Sequence, residues 1–89
     1  MNSTAQADIL PTNPTVQDCR RLGAIVSLAR FQVRSDAPWD PEETAEVIYN
    51  SLELRPFRLL ARLAVTMAKD PRYKSPAVIR HAAAGVISL

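Results

Sequence analysis

Proline placement constrains this chain more than any other feature. A proline inside a helix removes a hydrogen bond and clashes with the preceding turn, whereas at a helix start it fits. Pro14, Pro38, Pro41, Pro56, Pro71 and Pro76 therefore mark where helices begin and end. The segments between them carry apolar residues at helical spacing. Thr15 and Asp18 form a capping-box pair behind Pro14. Cys19, Leu22, Ile25, Val26, Ala29 and Val33 then fall on one face of a first helix that fades near residues 32–34. Pro38 and Pro41 make Ser35–Pro41 a connector. Asp40 is the next N-cap, with Pro41 at the first helical position and Glu43 closing the box. A second helix is expected from about Pro41 to Ser51, with Ala45, Ile48, Tyr49 and Leu52 inward.

A third helix is predicted from Pro56 to about Lys69, stopped by Asp70-Pro71. Phe57, Leu60, Leu63, Ala64, Met67 and Ala68 give it a wide apolar face, extended by Leu59. Such width predicts the central helix of a bundle. Ser75 as cap and Pro76 at the first position predict a short fourth helix, ended by Gly85. Strand alternation is absent, and two glycines leave little for hairpins. The expected fold is all-α, a compact bundle of three main helices plus a short C-terminal fourth. The bundle spans residues 14–85, behind a flexible arm (1–13) and ahead of an apolar tail (86–89). That tail either adds as a strand to a partner's sheet edge, or tucks against the first helix or frays, the latter being the simpler reading.

With 89 residues, one modest core is possible. No apolar run approaches the roughly 20 residues of a membrane span, so no membrane partner is expected. The N-terminus lacks the basic region and apolar run of a secretory signal. Cys19 is the only cysteine, which rules out an intrachain disulfide and fits a reducing cytoplasm.

Charge is segregated along the chain. Residues 35–53 hold six acids and no base, and residues 55–80 hold seven bases and one acid, Asp70. On the third helix Arg58, Arg62 and Lys69 project to one side, with Arg55 nearby and Arg72 and Lys74 following. Arginine suits phosphate through its paired donors. The second and third helices also read as a helix-turn-helix-like pair, which makes this basic side a candidate nucleic-acid surface. Against that, the stripe has no interleaved Asn, Gln or Ser to read bases. The simpler alternative is a solvated helix face, or one paired with the acids of the second helix.

A second candidate lies on the first helix. Ala24, Leu28 and Phe31 recur at i, i+4 and i+7, opposite its core face. Either this helix is sandwiched on two sides, or the stripe is a partner surface, for which homodimerisation is the simplest use. Trp39, ahead of a capped helix, is an interface-anchor candidate, although packing onto the bundle is the commoner role of such a residue.

Catalysis finds little support. His81 is the only histidine and has no second metal ligand at useful spacing. Cys19 sits on the predicted core face, where a thiol is usually inert. The glutamates of the second helix are explained by the helix dipole, and no glycine-rich phosphate loop exists. No metal, cofactor or small-molecule substrate is expected.

Trp39-Asp40 before a helix, the ending Ala68-Lys69-Asp70-Pro71, and the run from Ser75 to Ile79 together resemble a group of short helical proteins of actinobacteria and their phages. The resemblance covers residues 39–80 and rests on capping and packing motifs. It implies a phage or mobile-element setting and a cytoplasmic home, and it carries over no catalytic residue. The leading expectation is a non-enzymatic protein–protein interaction module, with self or another protein as partner. Nucleic-acid binding through the third helix is the alternative.

Overall fold

The computed structural model describes residue 11 and residues 13–85. These form four helices and, among the described residues, no strand. They are α1 (Val16–Val33), α2 (Pro41–Asn50), α3 (Phe57–Ala68) and α4 (Val78–Ala83). The all-α bundle with a short fourth helix is as expected. The arm and tail assigned to residues 1–13 and 86–89 lie almost wholly outside the described residues.

The helix starts follow local chemistry. Thr15 Oγ accepts from the Asp18 N–H, and the Asp18 carboxylate accepts from the Thr15 N–H at 2.8 Å, completing the capping box of α1. Asp40 caps α2 by accepting from the Glu43 N–H at 2.8 Å, with Pro41 at the first position. Gly85, at φ +81°, takes the left-handed conformation that follows a helix end. The fourth helix departs from expectation. Ser75 is not its cap; tight i→i+3 bonds from Val78 to Ser75 and Ile79 to Pro76 delay the helix to Val78, and no side chain caps it.

Packing runs in a ring. α1 packs on α2 and on α3, and α4 packs on the same two. α2 and α3 are bridged by their neighbours and do not pack as a pair, so the helix-turn-helix-like arrangement does not form. Nor is α3 the central helix: α1, the longest, has the most extensive packing, chiefly on α2. The reason is Gly23. A Cβ there would meet Pro41 O at 2.6 Å and Ala45 N at 2.8 Å, so only glycine lets α1 lie directly on the backbone of α2.

The core joins Cys19, Val26, Trp39, Ile48, Leu60, Ala64, Met67 and Ile79. Full burial of each large member contributes about 1.5–3 kcal/mol. Four inward assignments fail. Ile25 and Val33 of α1 and Tyr49 of α2 are exposed, and Leu59 lies at the edge of α3 in solvent. Gly23 and Arg30 take the inward positions on α1 in their place, and Thr44 does so on α2.

Candidate functional site

The face of α1 turned away from the core is apolar and in solvent. Leu28 is 59% exposed, Phe31 54% and Ile25 59%, with exposed Ala24 beside them. The predicted stripe of Ala24, Leu28 and Phe31 is therefore a surface, not a second buried side. Ile25 enlarges it, because the register of α1 is set by residues 19, 22, 23, 26 and 30 facing inward. At about 100° per residue, Ile25 then falls beside Leu28 instead of beside Val26.

That register depends on Arg30, which no spacing pattern singles out. Its side chain is fully buried. Nε donates to Ala37 O at 2.9 Å, and Nη1 donates to Ala68 O at 3.2 Å and Asp70 O at 3.0 Å. The guanidinium thus ties the end of α1 to the connector and to the carbonyl end of α3, where the helix dipole favours a cation. Burial pushes its pKa down, and neighbouring Arg34 adds to the effect; arginine remains charged nonetheless. Arg34 reinforces the tie by donating to Pro71 O at 2.9 Å. The only cue to this clamp in the sequence is a basic residue at i+4 from Val26 on an apolar face.

Trp39 is not an interface anchor. It is 1% exposed and lies under the Arg30 guanidinium, while Ser27 Oγ donates to its carbonyl. Among the described residues, Trp39 Nε1 and Arg30 Nη2 are buried without a hydrogen-bond partner. Thr44, buried four residues beyond the cap, donates its hydroxyl to Asp40 O at 2.7 Å.

The basic candidates divide. Arg58 and Arg62 are exposed along α3, and exposed Lys69 caps its end. Among the described residues none of the three enters an ion pair. α2 does not pack along this side, so its glutamates are not partners. Arg55 is exposed but precedes the helix, in a turn where it donates to Leu54 O. Arg72 is not a free cation: Nη2 meets the Asp70 carboxylate at 2.6 Å. This pairing raises the Arg72 pKa and lowers that of Asp70, through the side-chain hydrogen bond first in each case. Lys74 is exposed, outside any helix. Arg80 reaches Glu53 at 3.4 Å and also donates to Asn50 O; among the described residues this is the one ion pair between the acidic and basic segments.

A groove of about 500 Å³ opens between α1 and α2. Cys19, Ala45 and Tyr49 are among the residues lining it, with Glu42, Glu43 and Glu46 also contributing. The Cys19 thiol is buried, and its pKa is pushed up by burial and then by the Asp18 charge, so it is held as the weakly nucleophilic thiol. His81 is exposed on α4. Among the described residues no hydrogen bond joins it to Cys19, and no group of three or more His, Cys, Asp or Glu side chains is placed to hold a metal. Among the described residues, too, no helix is long and apolar enough to cross a membrane. No family model, curated protein or solved structure matches the chain.

Proposed function

We propose that this chain is a small, non-enzymatic protein–protein interaction module that docks through the outer face of α1. The observation that carries this reading is the exposure of Ile25, Leu28 and Phe31, each more than half in solvent on a helix whose opposite side is the core. Leaving three large apolar side chains a little more than half in water forgoes about 1–2 kcal/mol apiece, and clustered exposure of this kind marks interaction surfaces. A reducing cytoplasm fits the single buried thiol, and a phage or mobile-element setting fits the resemblance of residues 39–80. The test places a photo-cross-linking side chain at Leu28 in cells making the protein, with Glu46 of α2 as control. The expected result is a discrete adduct from Leu28, absent from Glu46 and lost on adding Ile25→Glu. Equal labelling from both positions overturns the reading.

A second reading is favoured by one specific observation. Arg58, Arg62 and Lys69 are exposed and, among the described residues, paired with no acid. Arg58 even sits in the first turn of a helix with no side-chain cap, where the dipole disfavours a cation. Such a face suits a phosphate backbone. Binding would then weaken with salt by a log–log slope of roughly −0.9 per phosphate engaged. A low-salt gel shift with mixed duplex DNA that shows no complex, or one that Arg58→Glu with Arg62→Glu leaves unchanged, eliminates it.

A further inference from the structure

We infer that a second copy of this chain docks the basic side of its α3 against the acidic wall of the groove between α1 and α2. This contact goes beyond the docking of α1, since it uses none of Ile25, Leu28 and Phe31. It joins two surfaces whose charges have no partner within one chain and complement each other between two.

The acidic surface lies on α2. Among the described residues, every acid except Glu42, Glu43 and Glu46 caps a helix or enters an ion pair. Asp40 caps α2, and Asp18, Asp36, Glu53 and Asp70 each meet an arginine. The three exceptions are exposed together along α2 and line the groove of about 500 Å³. The dipole of α2 accounts for Glu42 and Glu43 in its first turn, but not for Glu46. Val16 and Tyr49 line the same groove, each about half in solvent, so apolar surface backs the charged wall.

The basic surface of α3 is its complement. Arg58, Arg62 and Lys69 are exposed and, among the described residues, meet no acid. Leu59 is exposed beside them. On α2, Glu42, Glu46 and Tyr49 recur at i, i+4 and i+7; on α3, Arg58, Arg62 and Val65 recur at the same steps. Each helix thus offers a ridge of two like charges followed by an apolar residue, and the two ridges match step for step with opposite sign. Arg20, on the α1 wall of the groove, opposes the contact. The contact is heterologous, so each copy carries both halves of it. Exposed ion pairs are individually weak and screened by salt. Association therefore belongs to high protein concentration and low ionic strength.

The test is light scattering on the whole chain from about 10 to 500 μM, at about 0.01 M and about 0.5 M salt. The expected result is a mass rising above 9.8 kDa with concentration at the lower salt and staying at that value at the higher. Glu42→Gln with Glu46→Gln should weaken association about 10-fold, and so should Arg58→Gln with Arg62→Gln. Helical circular dichroism should be unchanged in both, since glutamine is about as good a helix former as the residues it replaces. Mixing the two double variants should recover association, because the basic face of one meets the acidic face of the other. Arg20→Gln should tighten association several-fold. A monomer at every concentration in the lower salt overturns the inference, as does association that the higher salt or either double variant leaves unchanged. A mixture that associates no better than its parts overturns the pairing of these two faces. Weaker association in Arg20→Gln takes the contact out of this groove. None of these results bears on the outer face of α1, which the cross-link from Leu28 tests by itself.

Discussion

The Arg30 guanidinium lies over the Trp39 indole, 5.2 Å from the ring centroid, with both side chains withdrawn from solvent. This stack joins the end of α1 to the connector that leads into α2. The same guanidinium holds the carbonyl end of α3 through Ala68 O and Asp70 O. One side chain thereby sets the rotation of α1, and with it which residues of α1 remain outside.

Replacing Arg30 with Met keeps much of the volume but leaves the carbonyls of Ala37, Ala68 and Asp70 without this donor. An abandoned buried acceptor costs about 1–3 kcal/mol, so a total loss of about 2–4 kcal/mol is expected once the relief of desolvating the charge is counted. Arg30→Lys should fall between, since a single ammonium cannot reproduce the planar fork or its stacking. Thermal unfolding checks both, at roughly 4–8 °C per kcal/mol for a domain of this size. A melting temperature unchanged in Arg30→Met contradicts the clamp.

Gly23→Ala should destabilise the bundle even though alanine is the better helix former by about 1 kcal/mol. The added methyl would sit 2.6 Å from Pro41 O and 2.8 Å from Ala45 N. Both are backbone atoms, so α1 and α2 must separate. A net loss of about 1–3 kcal/mol in urea unfolding is the expected cost of overpacking, and a stabilised variant would show that α1 does not lie so close.

Acid should weaken the fold through Asp18 and Asp70. The Asp18 carboxyl is held below the usual carboxylate range by the Thr15 backbone N–H first, and that of Asp70 by the Arg72 side chain first. Each folded pKa is lower than the unfolded one. The stability these groups add is therefore present above about pH 4 and lost as pH falls through the lowered values. Urea midpoints taken from pH 7 to pH 2 should show no loss from these groups down to about pH 5. Asp18→Asn should make the decline below that shallower. An unaltered acid limb in that variant would remove Asp18 from the account.

Cys19 should resist thiol reagents in the native state. Its pKa is raised by burial, so the thiolate is scarce and shielded. At pH 8 an aromatic disulfide reagent should label it at least about 100-fold more slowly in buffer than in concentrated urea, since labelling requires opening of the structure. With the folded pKa above the unfolded one, this thiol also adds stability below the ordinary thiol value near 8.5, lost as pH rises through the folded value. Rapid native labelling would place Cys19 at the surface.

The helix boundaries were legible because their causes are local. Thr15 with Asp18, Asp40 with Pro41, and Asp70-Pro71 act within a few residues of themselves, and α1, α2 and α3 begin and end within about two residues of where those signals stand. The apolar stripe of Ala24, Leu28 and Phe31 could be read as a pattern for the same reason. Whether it faced protein or solvent could not be, because that is a question of rotation about the axis of α1. Periodicity leaves Ile25 and Val26 almost equally suited to the core. Contacts remote in sequence choose between them: Gly23 against Ala45, and Arg30 against Ala68 and Asp70. The charge layout divides in the same way. The sequence alone established that the acids precede the bases. Only the tertiary packing, in which α2 and α3 each pack on α1 and α4 and not chiefly on one another, kept the glutamates of α2 from pairing with Arg58, Arg62 and Lys69. A charge pair forms across space, and the order of residues along a chain does not decide which helices lie side by side.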